Sequence, residues 1–113
     1  MKEAYMKILS DLKANGIDSA CIAGRDGLLI FSDMEGIKAQ VFAAMSAALL
    51  GSAEVAMDEL KEGLPKKVVI DGKNRKIIVV GAGSNALLAV IAKSEDVYPI
   101  VEKAAKEIKK ILR

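Results

Sequence analysis

Residues 41–53 form an uninterrupted run of thirteen uncharged positions, built mainly from Ala and Leu and bounded by Gln40 and Glu54. The run is shorter than the roughly 20 apolar residues a bilayer-spanning helix needs, so it predicts a helix that packs within protein. Flanking residues extend that helix over 37–62, with Gly63-Leu64-Pro65 to end it. On a helical wheel Val41, Phe42, Met45, Leu49, Leu50, Ala53, Ala56, Met57 and Leu60 gather on one side, enough to cover one face of a sheet. The opposite side is apolar too. It carries Ala44, Ala47, Ala48, Gly51 and Val55, with Glu54, Asp58 and Glu62 at its margin. A helix apolar all round wants burial on both sides, and 113 residues leave no further element to cover the second stripe. Small side chains admit another helix at close range, so the expected cover is the same helix of a second copy. The competing explanation is that alanine is simply a good surface helix former, which implies no interface.

The rest of the chain supplies a sheet for that helix to cover. Residues 2–15 place Tyr5, Ile8, Leu9 and Leu12 at helical spacing before Gly16. Two apolar runs, 17–23 and 28–32, flank Gly24-Arg25-Asp26-Gly27, and Asp-Gly between strands is a strong hairpin signal. After the long helix come strands at 67–71, 76–81 and 86–92, with turns at Gly72-Lys73-Asn74-Arg75 and Ala82-Gly83-Ser84-Asn85. A closing helix over 95–112 is apolar on one face, from Val97 to Leu112, and carries lysines and glutamates on the other. The order is α-β-β-α-β-β-β-α, an α+β class with a mainly antiparallel sheet. Residues 77–80 and 86–92 are continuously apolar, which places helices on both faces of their strands. Val68, Val69 and Ile70 lie between Lys66-Lys67 and Asp71 and read as an edge strand, able to pair with its symmetry mate across a dimer.

Composition narrows the chemistry. The chain contains no histidine and one cysteine, which removes the commonest general base, any intrachain disulfide and any Cys-rich zinc site. No metal or cofactor is expected, and no catalytic residue. A lone thiol suits the reducing cytosol. The opening Met1-Lys2-Glu3-Ala4-Tyr5 has mixed charge and no apolar signal-peptide core, so the expectation is a soluble cytoplasmic protein without a membrane span. With 52% hydrophobic residues and a net charge of +2, disorder is excluded, and the length fits one small domain over 1–113.

Several local patterns imitate functional motifs. Gly81-Ala82-Gly83-Ser84-Asn85-Ala86 follows a strand, as the G-x-G-x-x-A dinucleotide fingerprint does. That fingerprint needs a helix next, and residues 86–92 read as a strand. Lys66, Lys67, Lys73, Arg75 and Lys76 form a basic cluster without interleaved aromatics for base stacking, so they are expected to shield a sheet edge and not to bind nucleic acid. Cys21 reads as a small core residue. Arg25, in the hairpin turn, reads as a solvated cation and not as an arginine finger.

Three segments in order carry a family resemblance over essentially the whole chain. Residues 17–28 (IDSACIAGRDGL) resemble the first hairpin of Roadblock/dynein-light-chain domains of the prokaryotic MglB-like branch. Residues 42–50 (FAAMSAALL) resemble their Ala-rich interface helix, and residues 85–92 (NALLAVIA) their last strand. The resemblance implies a profilin-like sandwich, a five-stranded antiparallel sheet with one helix on one face and two on the other. It also implies a homodimer formed through the middle helix and the third strand, so the expected interface comprises Ala44, Ala47, Ala48, Gly51, Val55, Val68 and Ile70. Family members typically bind Ras-like small GTPases as activators or scaffolds, or serve as light chains of larger assemblies. The family shares no catalytic residue. The implied function is therefore a non-enzymatic homodimeric regulator or scaffold for a small GTPase, with a nucleotide-independent structural adaptor as the alternative.

Overall fold

Residues 86–92 become the centre of the sheet because both of their faces are apolar. The computed structural model describes every residue except Gly36 and Arg113. Its elements are α1 (Lys2–Ala14), β1 (Ile17–Gly24), β2 (Leu29–Ser32), α2 (Ile37–Glu59), β3 (Val68–Asp71), β4 (Lys76–Gly81), β5 (Ala86–Ala92) and α3 (Tyr98–Ile111). The five strands form one antiparallel sheet in the order β2-β1-β5-β4-β3. This is the expected α+β architecture. β5 is flanked by β1 and β4, and β3 lies at an edge as its short, polar-ended sequence predicts.

Alternation along the inner strands divides the core into two layers. Ile78, Val80, Leu88 and Val90 point to one side, where Tyr5, Leu9 and Leu12 of α1 and Val101 and Ile108 of α3 pack on them. Val79, Leu87 and Ala89 point to the other and meet Cys21, Ala23, Ala43 and Leu50. The second layer is built largely from small side chains, which lets the single helix α2 lie close to the sheet.

Local boundaries differ from the expected ones for identifiable reasons. α2 stops at Glu59, three residues short of its expected end. Lys61 takes the left-handed conformation (φ 54°), Glu62 N–H donates to the Met57 carbonyl (3.0 Å), and Lys61 N–H donates to the Asp58 carbonyl (2.9 Å). That is a Schellman ending, formed before Gly63 is reached. A 3₁₀ turn, Glu95–Val97, capped by Ser94 Oγ, precedes α3 in place of its expected first turn.

The rotation of α2 is the main correction. Among the described residues, Ala39, Ala43, Ser46 and Leu50 are the buried positions of its inner face. Val41, Met45, Ala56 and Leu60, expected against the sheet, are exposed instead, Val41 by 50% and Met45 by 60%. Ala47, expected on the outward stripe, packs against the inner cluster. The stripe also has an intramolecular neighbour that the sequence did not reveal. Gly27 of the β1–β2 turn sits so near α2 that a Cβ there would lie 3.3 Å from Ala44 Cα and 3.8 Å from Ala47 Cβ. The helix has the length and apolar composition of a membrane span, beyond what the thirteen-residue run indicates, yet its inner face is docked on this sheet.

Cys21 lies wholly inside the α2 layer, as its core reading predicts. Burial pushes its thiol up to about 11 from the ordinary 9.0, and the Asp33 carboxylate adds to the rise. The unfolded chain therefore releases this proton at lower pH than the folded one, so stability falls as pH rises from 9 toward 11. The thiol's contribution to that fall is about 1–2 kcal/mol. Urea unfolding at both ends of this window, on the wild type and on Cys21→Ala, measures it; the variant is expected to show the smaller loss.

Candidate functional site

Arg25 leaves the β1–β2 turn and reaches across the end of the sheet. Asp26-Gly27 make that turn as the sequence predicts: Asp26 Oδ1 accepts from Leu28 N–H (3.0 Å), and Gly27 adopts φ 86°. The Arg25 side chain then meets three separate acceptors. Nε donates to the Ala86 carbonyl (2.8 Å), Nη2 to the Gly83 carbonyl (3.1 Å) and Nη1 to Glu54 Oε1 of α2 (2.6 Å). Arg25 and Glu54 retain only 24% and 25% side-chain exposure, so the pair is shielded from water and worth more than a surface ion pair. This corrects the reading of Arg25 as a solvated turn cation.

The same clamp explains the glycines that imitate a dinucleotide fingerprint. A Cβ on Gly81 would lie 2.6 Å from Arg25 Nη2, so the guanidinium fits only because position 81 has no side chain. Gly83 adopts φ 83° and presents its carbonyl to Arg25. Residues 86–92 are a strand, and the helix a dinucleotide site requires is not there.

With Glu54 turned inward, the outer face of α2 carries no charge from Val41 to Ala56. Val41, Ala44, Met45, Ala48, Ser52, Val55 and Ala56 are all exposed along it, Val55 by 65%. Of the expected interface residues, Ala44, Ala48 and Val55 lie on this face. Gly51 stands at its margin with open space around its Cα, and Ala47 is turned away from it. Val68 is half-buried against the inner layer, and Ile70 is exposed on the edge strand β3. The basic cluster beside β3 is largely neutralised. Lys67 lies 3.5 Å from Glu95 and 4.4 Å from the Tyr98 ring centre, Lys76 2.6 Å from Asp71, and Arg75 Nε 2.7 Å from Asp18 Oδ2. The last contact is a charge pairing out of line with the N–H bond and not a hydrogen bond. Among the described residues no cluster of His, Cys, Asp or Glu is arranged to hold a metal ion.

Comparison with known proteins places this arrangement. The family profile described as the Roadblock/LC7 domain matches residues 6–92, which include the clamp, the whole of α2 and all five strands. The chain belongs to the Roadblock/LC7 family. An uncharacterized protein of Methanocaldococcus jannaschii is 33% identical over 86 residues, 74% of this chain and 75% of that one. A Roadblock/LC7 domain from Streptomyces avermitilis superposes with a TM-score of 0.86 at 23% identity, covering 93% of this chain and 94% of that one. An MglB in a tetrameric arrangement superposes at 0.85 and 18% identity, covering 97% and 88%. At such identities the two structures establish the fold, and the MglB-like resemblance read from the sequence agrees with it.

Within this Roadblock domain, Arg25 is the residue that sequence reasoning missed. Its signal was the pair Gly81 and Gly83, two glycines in a turn whose spacing fits no nucleotide motif in context. Arg25→Ala is expected to destabilise the fold by about 1–3 kcal/mol, since it strands a shielded carboxylate and two carbonyls. Arg25→Lys should not restore stability, because a single ammonium cannot span three acceptors. Gly81→Ala should displace the guanidinium and cost no more than Arg25→Ala in the wild type, and should be close to neutral in the Arg25→Ala background. Urea unfolding of the four-member cycle measures this coupling.

Proposed function

We propose that this chain, as a single Roadblock domain over residues 1–113, is a cytoplasmic, non-enzymatic, homodimeric regulator or scaffold of a Ras-like small GTPase. The observation that carries the reading is the outer face of α2, a charge-free stripe of seven exposed residues. Apolar surface concentrated on one element of a soluble fold marks a protein-binding site. Family membership and the MglB-like fold supply the kind of partner.

The seam we propose keeps Ala44, Ala48, Gly51 and Val55 from the sequence reading, drops Ala47, and adds Val41 and Met45. Val68 and Ile70 stand at the free β3 edge, where an antiparallel symmetry mate would continue the sheet. Self-association would cover apolar surface that one copy leaves in water, and would present two equivalent domains to a partner.

A contribution to GTP hydrolysis would come from ordering the GTPase's own switch residues. Arg25 is held by Glu54 and two carbonyls, so it has no reach to act in a partner's active site.

Two measurements check this reading. Light scattering of the purified chain should give twice the chain mass at micromolar concentration, and Ala48→Glu should give a folded monomer or insoluble protein. An unchanged dimer for that variant would show that the seam lies elsewhere. Pull-downs with small GTPases of the same organism, loaded with GDP or a GTP analogue, should show nucleotide-sensitive binding. Binding indifferent to nucleotide would instead favour a structural adaptor, and no binding to any of them would remove the GTPase reading.

A further inference from the structure

The sheet has a gap beside β4. β3 pairs with β4 from Asp71 opposite Lys76 to Val68 opposite Val79, so Val80 and Gly81 run past its end with no β3 residue alongside. Their other edge is covered by β5, where they face Leu88 and Leu87. A cleft of ≈ 790 Å³ opens at this point between α2, the β4–β5 turn, α3 and the segment leading into β3. Its accessible apolar surface comes from exposed Leu64 and half-buried Pro65 and Tyr98, with Leu50, Val80 and Ala105 buried beneath.

The rim is basic. Lys66 stands on one side and Lys106 and Lys109 of α3 on the other. Among the described residues none of the three makes an ion pair, in contrast to Lys67, Arg75 and Lys76 nearby. Lys109 is aimed by its surroundings: its stem lies against Gly83, where a Cβ would come within 3.1 Å of Lys109 Cγ. The opposite wall is held by Tyr98. Its hydroxyl donates to Glu102 Oε2 (3.2 Å) and lies 3.5 Å from the Lys66 carbonyl. Among the described residues Glu102 is the one carboxylate at the cleft outside the Arg25–Glu54 pair.

We propose that this cleft takes an extended acidic segment of a partner protein. The segment's backbone would run beside the open end of β4, with an aliphatic side chain against Leu64 and Pro65 and carboxylates on the lysine rim. Three features point to a peptide. An unpaired strand end is a template for another strand. Accessible apolar surface at Leu64 and Pro65 selects a side chain that a free anion lacks. The lysines are spread along two walls, whereas a phosphate site converges donors on one point. The cleft is built from a single copy and lies apart from the outer face of α2, so this inference stands independently of the GTPase reading.

A library of random dodecapeptides displayed on phage, panned on the purified protein without any GTPase present, tests it. Enriched peptides are expected to combine Asp or Glu with Leu, Ile or Val. A synthetic peptide of the enriched sequence should shift the amide resonances of Val80, Gly81 and Lys106. Its affinity should fall at least roughly tenfold in the variant Lys66→Glu/Lys106→Glu/Lys109→Glu, through lost attraction and added repulsion. All three lysines are exposed, so the variant keeps the fold, and its thermal melt verifies that. Replacing the aliphatic residue of the peptide by Ser should weaken binding as well. Failure to enrich any peptide, enrichment of non-acidic sequences, or binding indifferent to the charge reversals would overturn the proposal. Lysine-dependent binding of inorganic phosphate or ATP with no peptide binding would overturn it too, in favour of a small-anion site.

Discussion

The ion pair between Arg25 and Glu54 sets the geometry on which the interaction surfaces depend. An alanine-rich helix lying on a layer of small side chains has little to choose between one rotation about its axis and another. Glu54 makes the choice. Drawing its carboxylate to a guanidinium already held by the Ala86 and Gly83 carbonyls turns one sector of α2 toward the β1–β2 turn. Ala43 and Leu50 then meet the sheet, and Val41, Met45, Ala48 and Val55 are left facing water. A partly shielded pair of this kind adds only modestly to net stability, because desolvation offsets much of its attraction. It ties α2 to the β1–β2 turn in the rotation observed.

That arrangement produces an uneven molecule. On one side of the sheet two helices cover a layer of large side chains; on the other, a single helix covers a layer of small ones and stays apolar on its outward surface. The free edge β3 adjoins the same side of the fold. The other notable surface arises where β3 ends before β4 does, and it has a different character: apolar surface at Leu64 and Pro65 within a basic rim. One surface suits a flat, uncharged partner such as a second copy, and the other an extended acidic chain.

Much of the fold was legible because the decisive patterns are local. Runs of apolar residues punctuated by Asp26-Gly27 and by the Gly-rich turns mark the strands, and the unbroken apolarity of 86–92 identifies the central one. The rotation of α2 was not legible. Nearly every sector of its wheel is apolar, so the wheel alone groups Val41 and Met45 with the inward residues, whereas they face outward. The contacts that settle the rotation join residues 29, 58 and 61 positions apart, and no periodicity along the chain reports those. The role of Gly81 was hidden for the same reason, since the space it leaves is filled by a side chain from the far end of the sheet.

Whether the outer face of α2 meets its own copy can be read from a distance across the proposed two-fold axis. Ser52→Cys in a Cys21→Ala background places one spin label per chain on this face, since Ser52 is exposed there. Packed helices lie about 8–10 Å apart, so pulsed dipolar spectroscopy should return a narrow distribution below roughly 30 Å, allowing for the label linkers. A decay with no dipolar modulation at micromolar concentration, or a distance well beyond that limit, would rule out a seam along this face.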